Sequence, residues 1–401
     1  MSRPRVLFLA HLLPWPLEGG GQLKSYHVLR QLAQAYDIKL LALIRKPEEA
    51  AHAEPLQPFC ALGIETIPLR RTKPSNVQAA LRALVTGRSF IIVRDDTPAF
   101  HAAVARELAR AHYAAIHVDH LQMIPFVPAR TPGVKVILDE HNVEFRLPQR
   151  LSETAKNPAI RLYGAGEWKR LRRFEQAALQ RADLTLAVSD EDRDTLQALR
   201  GGGCETLPIG VDTQYFAARA RRPHSKTLVS IGTMYWPPNV DALRWFCAEI
   251  LPKIKTQEPS VRLMIVGAKP STEILALASD PAVTVTGSVP DVRPYGEDCG
   301  AFIVPLRSGS GMRVKILNAL AMGLPTVSTT VGAEGIAVRG GEHLLLADTP
   351  EAFAAATLRL LREPALADQL AQNGRQLMQS HYGWEAIGAR LRQLYAEVLA
   401  P

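Results

Sequence analysis

Cysteine is scarce in this chain of 401 residues: Cys60, Cys204, Cys247 and Cys299 stand far apart and no CxxC pair occurs. That excludes a thiolate metal ribbon and a disulfide framework, and it fits a reducing compartment. No apolar run is long enough to span a bilayer, so any membrane contact is expected to be peripheral. Arg3 and Arg5 followed by Val6 to Leu13 have a signal-peptide flavour, but His11 interrupts the segment, Pro14-Trp15-Pro16 follows, and a first buried strand is the better reading. Aromatic residues make up only 6%, and neither an aromatic-studded RNA-binding motif nor a zinc-finger spacing is present. The formal charge of +8 therefore points less to nucleic acid than to an acidic membrane surface or a phosphorylated ligand. Repeats and low-complexity tracts are absent. So is the GxGxxG fingerprint at the start of either half, which disfavours a dinucleotide dehydrogenase.

What is present is length and alternation. The chain is long enough for two domains of about 200 residues each. Val6 to Ala10 reads as a first strand, and Gly19-Gly20-Gly21 turns into a helix from Gln22 to Ala35. The three glycines leave two readings open, a permissive turn or a backbone cradle for an anion. Strands are then expected at Ile38–Ile44, Thr66–Leu69, Phe90–Val93, Ala115–Val118 and Val134–Leu138, with helices over Asn76–Val85 and Ala99–Ala111. Such alternation specifies a parallel sheet covered on both faces, with ligands beyond the carboxyl ends of the strands. That rule selects His117, Asp119 and His120 after one strand, and Asp139, Glu140, His141 and Asn142 after the next. Residues Pro158 to Arg181 make a long basic helix, read as a solvated face or, more sharply, as a patch for acidic lipid headgroups. The acidic run Asp190 to Asp194 contains DxD spacings, but its place in a first helical turn makes it a complement to the helix dipole.

After the irregular segment Leu207 to Phe216 and a basic connection, the alternation restarts at Thr227–Ile231 and continues through Val261–Val266 and Val283–Thr286. Its centre is Phe302 to Thr330: a short apolar strand, a break at Arg307 to Gly311, a helix from Met312, a stop at Gly323 and Pro325, and a strand at Thr326–Ser328. The amides of Gly311, Met312 and Arg313 at such a junction can converge on an anion, with Arg313 and Lys315 as neighbouring cations.

Taken together, the glycine loop Gly19 to Gly21, the hinge LPIGVDTQYF from Leu207, GTMYWPPNVDAL from Gly232, VTGSVPDVRPY from Val285 and the stretch from Phe302 resemble the family 4 retaining glycosyltransferases over nearly the whole chain. The resemblance implies an α/β GT-B fold, two doubly wound Rossmann-like domains facing a central cleft, with an N-terminal acceptor-side domain over residues 1–206, a linker over 207–226 and a donor domain over 227–383. The last helix, 384–401, is expected back on the first domain.

The resemblance also implies a nucleotide diphosphate sugar as donor, a glycan or lipid-linked hydroxyl as acceptor, and closure of the domains about the Gly210 hinge. It assigns transfer to His120, Arg313 and Lys315, and donor binding to Gly20, Gly21, Gly232, Gly287, Val289, Val292, Ser310, Gly311, Met312 and Asn318, with His141 as a supporting candidate. No metal and no cofactor is expected, and the site of action is the cytoplasm, including the inner face of the membrane. Two glutamates usual in the family fall here on Ser310 and Asn318, and GTMYWPPN lacks the basic pair often found after the first strand of the donor domain. Asn318 can still hydrogen-bond a ribose hydroxyl, whereas serine is shorter and uncharged. The missing glutamates keep open the alternative of a nucleotide-sugar-binding partner subunit without turnover, and a sugar-nucleotide epimerase or hydrolase on the same fold is the competing enzyme reading.

Overall fold

The computed structural model describes residues 3–17, 19–155, 157–218, 221–222, 224–309 and 311–400. The chain divides into two compact units, one of residues Met1–Ile209 with Gly388–Pro401, the other of residues Gly210–Ile387.

In the first unit, seven parallel strands run β1 (Arg5–Ala10), β2 (Asp37–Ile44), β3 (Ile64–Pro68), β4 (Ala115–Asp119), β5 (Lys135–Glu140), β6 (Leu184–Ala187) and β7 (Cys204–Thr206), in the order β3-β2-β1-β4-β5-β6-β7. β1, β4 and the second half of β2 are buried almost throughout, because helices cover both faces of the sheet. The crossover helices are α1 (Gly20–Leu32), α2 (Lys73–Thr86), α3 (Phe90–Asp95), α4 (Pro98–Arg110), α5 (Arg146–Thr154), α6 (Pro158–Arg181) and α7 (Asp190–Arg200). The chain reverses direction across the sheet between β1 and β4, the point where doubly wound sheets hold ligands.

The second unit repeats the plan with β8 (Thr227–Ile231), β9 (Arg262–Val266), β10 (Val283–Val285), β11 (Ala301–Val304), β12 (Thr326–Ser328) and β13 (Leu345–Leu346), all parallel, in the order β10-β9-β8-β11-β12-β13. Its switch point lies between β8 and β11. Helices α8 (Pro237–Trp245), α9 (Leu251–Gln257), α10 (Thr272–Ala276), α11 (Val314–Ala321), α12 (Pro350–Arg362) and α13 (Pro364–Leu377) flank it, and α14 (Trp384–Leu399) ends the chain.

Two expectations are corrected. Phe90–Val93, read as a strand, is the start of α3, with Val93 N–H donating to the carbonyl of Ser89 at 3.0 Å. A four-residue apolar run carries no period of its own, and here Val93 packs on the alanines of α2 instead of joining a sheet. The helix expected from Met312 begins at Val314, because Gly311 takes φ of 76° and the helical path starts only beyond it. The short strands β7 and β13 and the helices α5 and α9 were not expected from sequence; the strands have three and two residues, too few to show alternation. The acidic run is a helix start as expected: Ser189 Oγ accepts from Asp192 N–H, and Asp190, Glu191 and Asp192 fill the first turn of α7. Among the described residues no helix is long and apolar enough to cross a membrane.

Candidate active site

In the first unit the site grows from two strand ends. Asp119 closes β4 and Glu140 closes β5, so His120 and His141 are the first residues past the sheet. Gly21 in the first turn of α1 allows both rings to close on it: a Cβ there would lie 3.4 Å from His120 Nε2 and 3.6 Å from His141 Nδ1. The two imidazoles lie against each other with centroids 3.7 Å apart and planes tilted by 33°.

Asp119 ties the pair together. His120 Nδ1 donates to it at 3.1 Å, His141 Nε2 lies 3.0 Å from Oδ1, and Ser25 Oγ donates at 2.9 Å. Burial opposes charge on His120, yet the Asp119 carboxylate prevails and raises its pKa. Burial and the neighbouring His120 charge push His141 down to about 4. Asp119 would be raised by burial, but the two histidines hold it well below the usual carboxylate range. At neutral pH Asp119 is ionised and His141 is neutral, and the Asp119 carboxylate favours the charged form of His120. His120 also has φ of 78° and ψ of 149°, a region essentially reserved for glycine. Its backbone is fixed from both sides, its N–H donating to the Asp139 carbonyl at 3.0 Å and its carbonyl accepting from Met123 N–H at 3.0 Å. Strain of this kind costs about 1–3 kcal/mol and clusters at functional positions.

Beneath the histidines lies a second layer. Lys24, one residue before Ser25 on α1, donates to Asp139 Oδ1, and both side chains are fully buried. His117, inside β4, is hydrogen-bonded through Nδ1 to the Tyr395 hydroxyl of α14 at 2.7 Å, and its Nε2 lies 3.7 Å from Asp139 Oδ2. Burial, reinforced by Asp139, raises the Tyr395 phenol well above its ordinary value, so it stays neutral. Glu140 is buried, and its pKa is pushed well above the usual carboxylate range, first by burial and then by Glu175. Asp119, His120 and His141, and likewise His117, Asp119 and Asp139, place potential ligand atoms within 4.8 Å of one another. Ser25 already donates to Asp119, and Lys24 to Asp139.

In the second unit the strand ends are lined by glycine. Gly232 follows β8, Gly267 follows β9 and Gly287 lies beyond β10; Gly232 N–H donates to the Val266 carbonyl at 3.0 Å and Gly267 N–H to the Gly287 carbonyl at 3.2 Å. Glycine is demanded at position 267, where a Cβ would fall 1.7 Å from the Gly232 carbonyl oxygen. Lys315, in the first turn of α11, reaches back to this rim: its Nζ donates to Asn239 Oδ1 at 2.8 Å and lies 2.9 Å from where a Gly232 Cβ would stand. Burial and the neighbouring Arg313 bring Lys315 down to about 8. The Arg313 guanidinium donates to the Gly311 carbonyl and faces Glu334 Oε2 at 3.9 Å. A small hollow beside Lys315 is lined by Ser230, Met234, Asn239 and Leu306.

The structure thus brings Gly21, His120 and His141 together in one unit, where Gly20 is the first residue of α1, and places Gly232, Gly311, Arg313 and Lys315 around the β8–β11 switch point of the other. Gly287 has φ of 72° and opens the loop carrying the half-buried Val289 and Val292. Met312 is buried, and Asn318 is half-buried one turn along α11. Ser310 lies outside the described residues. Sequence reasoning did not single out Lys24, Ser25, Asn239 or Tyr395. Lys24 sits within an apolar helical pattern, and such a lysine on a buried face was the one local signal that a charged partner awaited it.

The profile described as "Glycosyltransferase Family 4" matches residues 19–215, and that described as "Glycosyl transferases group 1" matches residues 225–363. A phosphatidyl-myo-inositol mannosyltransferase of Mycobacterium tuberculosis is 25% identical over 227 residues, 53% of this chain and 59% of its own length. The chain thus spans little more than half of that relative. Among solved structures, sucrose-phosphate synthase from Thermosynechococcus elongatus superposes with a TM-score of 0.73 at 20% identity, over 99% of both chains. HepE from Anabaena, solved with UDP, gives 0.67 at 12% identity over 98% of this chain and all of its own. With two doubly wound parallel sheets, matched profiles over both units and a shared GT-B fold, the chain belongs to the family 4, group 1 glycosyltransferases.

Proposed function

We propose that this protein transfers a sugar from a nucleotide diphosphate sugar to a hydroxyl of a glycan or lipid-linked acceptor, with retention at the anomeric carbon, in the synthesis of a cell-surface polysaccharide or glycolipid. The observation that carries the reading is the glycine rim of the second unit, with Lys315 held against Gly232 and Arg313 beside Gly311. Backbone can approach a diphosphate closely at such a rim, and two cations offset its charge as it leaves. The UDP in the HepE structure and the mannosyl transfer named for the mycobacterial relative support a nucleotide-sugar donor.

In this reading the acceptor oxygen attacks the anomeric carbon from the face the leaving group departs. The carbon–phosphate oxygen bond breaks as the new glycosidic bond forms, the acceptor proton passes to a departing phosphate oxygen, and a nucleoside diphosphate is released. Arg313 and Lys315 stabilise the leaving diphosphate, and His120 serves the transfer step with His141 supporting it. Neither a metal nor a cofactor takes part, and the reaction belongs to the cytoplasm.

A thermal-shift screen over UDP-, GDP-, ADP- and TDP-sugars tests the donor, since a ligand bound to the folded state raises its apparent stability. With the responding nucleotide, Arg313→Ala and Lys315→Ala should each weaken binding in calorimetry, and unchanged affinity removes these residues from the site. His120→Ala should slow transfer more than it weakens nucleotide binding. Turnover lost to EDTA and restored by magnesium or manganese would overturn the metal-free reading. Asn318 in place of the usual glutamate favours one alternative, a donor-binding subunit without turnover, which predicts nucleotide binding and no transfer across a broad acceptor panel.

A further inference from the structure

At the ends of β4 and β5 the first unit buries polar atoms that its own hydrogen bonds leave over. His117, Asp119, Asp139 and His141 are between 0% and 5% exposed. Yet His117 Nε2, Asp139 Oδ2 and both ring nitrogens of His141 have no hydrogen-bond partner among the described residues. A buried polar group left without a bond costs about 1–3 kcal/mol, so three such side chains in one place require a common partner.

The atoms converge. His141 Nε2 stands 3.0 Å from Asp119 Oδ1 and 3.9 Å from Asp139 Oδ2, and His117 Nε2 stands 3.7 Å from that same Asp139 oxygen. The His141–Asp119 contact is short enough for a hydrogen bond but is not aligned as one. Atoms that share a third partner are arranged in this way: ligands about 2.0–2.1 Å from a tetrahedral zinc ion stand about 3.3 Å from one another. The far ends of three of these side chains are already held. His117 Nδ1 is bonded to the Tyr395 hydroxyl at 2.7 Å, Asp139 Oδ1 accepts from Lys24, and Asp119 Oδ2 accepts from His120 Nδ1 at 3.1 Å. Outer bonds of this kind orient the ligands of metal centres.

We propose that His117 Nε2, Asp119 Oδ1, Asp139 Oδ2 and His141 Nε2 form a buried site for one zinc ion. Two imidazoles and two carboxylates suit zinc, whereas magnesium prefers six oxygens and keeps several of its waters. His117 donates its Nδ1–H to Tyr395 and turns its Nε2 lone pair to the ion. The ion ties the end of β4 to the end of β5 and, through Tyr395, holds α14 against them. Its role is structural: it takes no part in the transfer, and the proposal does not depend on the glycosyl-transfer reading.

Calorimetric titration of the chelator-stripped full chain with zinc chloride and, separately, magnesium chloride tests it. One equivalent of zinc should bind and raise the melting temperature, and magnesium should do neither. Cobalt chloride in place of zinc should give the intense visible absorption of a tetrahedral ion. His117→Phe keeps a ring against Phe8, 4.3 Å away between centroids, and removes the ligand nitrogen. It should weaken zinc binding by about 100-fold or more, and Tyr395→Phe, which leaves all four ligands in place, by about tenfold. The tyrosine variant keeps the idea testable if His117→Phe folds poorly. No zinc bound by the parent overturns the proposal and leaves a buried water as the partner of these atoms. Equal zinc affinity in the parent and both variants also overturns it, because the ion then sits on other histidines. Failure of the donor screen with zinc binding intact would refute only the functional reading above.

Discussion

Lys24 on α1 and Asp139 on β5 form an ion pair in which neither side chain has any solvent exposure, although the residues are 115 positions apart in the chain. Removing one partner strands a buried charge, at a cost of about 3–5 kcal/mol. Lys24→Met should lower the urea midpoint of the first unit accordingly, and Lys24→Met/Asp139→Leu should recover a large part of the loss. A single variant as stable as the parent would mean that Asp139 is balanced by His117 or His141 instead.

The two adjoining histidines should give opposite pH dependences. His141 has a folded pKa of about 4, so as pH falls below the free-imidazole value the unfolded chain takes up a proton that the folded one refuses. Stability is then full above about 6.5 and declines toward pH 4 by about 3 kcal/mol in all, and His141→Gln should flatten that limb. His120 is raised, so its stabilisation is complete below about 6.5 and is lost as pH climbs through the higher folded value. Denaturant midpoints from pH 4 to 9 for parent, His141→Gln and His120→Gln separate the two.

Lys315 titrates near 8 when the site holds no donor, and a bound diphosphate favours its charged form. Donor affinity should therefore hold up to about pH 7.5 and fall by up to about tenfold per pH unit beyond 8. Lys315→Arg, if it binds, should show no such fall. Calorimetry across this range decides, and an affinity independent of pH in the parent would place Lys315 away from the phosphates.

The glycine rim should tolerate substitution unevenly. Gly267→Ala drives a methyl group into the backbone carbonyl of Gly232, 1.7 Å away, and should cost about 3 kcal/mol or more together with donor binding. Gly287→Ala meets nothing within 4 Å and bears only the left-handed backbone cost of about 1–2 kcal/mol. Equal losses of melting temperature in the two variants would contradict the close approach of β8 and β9.

Much of the doubly wound pattern was legible in the chain, because a long apolar strand such as Asp37–Ile44 and a helix of 24 residues such as Pro158–Arg181 are extended enough to be read locally. Phe90–Val93 was not legible, since four apolar residues have no period and only their packing on Ala79 and Ala83 makes them helical. The candidate site divides the same way. His120, His141, Arg313 and Lys315 stand out as polar residues directly after strands or a glycine turn, whereas Asn239 is an ordinary asparagine until α11 presents Lys315 to it at 2.8 Å.

By itself, then, the sequence determined two parallel α/β units and the strand ends at which chemistry-bearing side chains emerge, because alternation and glycine turns are local signals. Only the tertiary structure decided that Lys24 answers Asp139, that Ser25 joins His120 and His141 on Asp119, and that α2 turns its leucines outward. Those outcomes depend on which strands become neighbours and which helix face meets them. Strand order and helix docking are set by contacts between distant parts of the chain, which no short window of sequence contains.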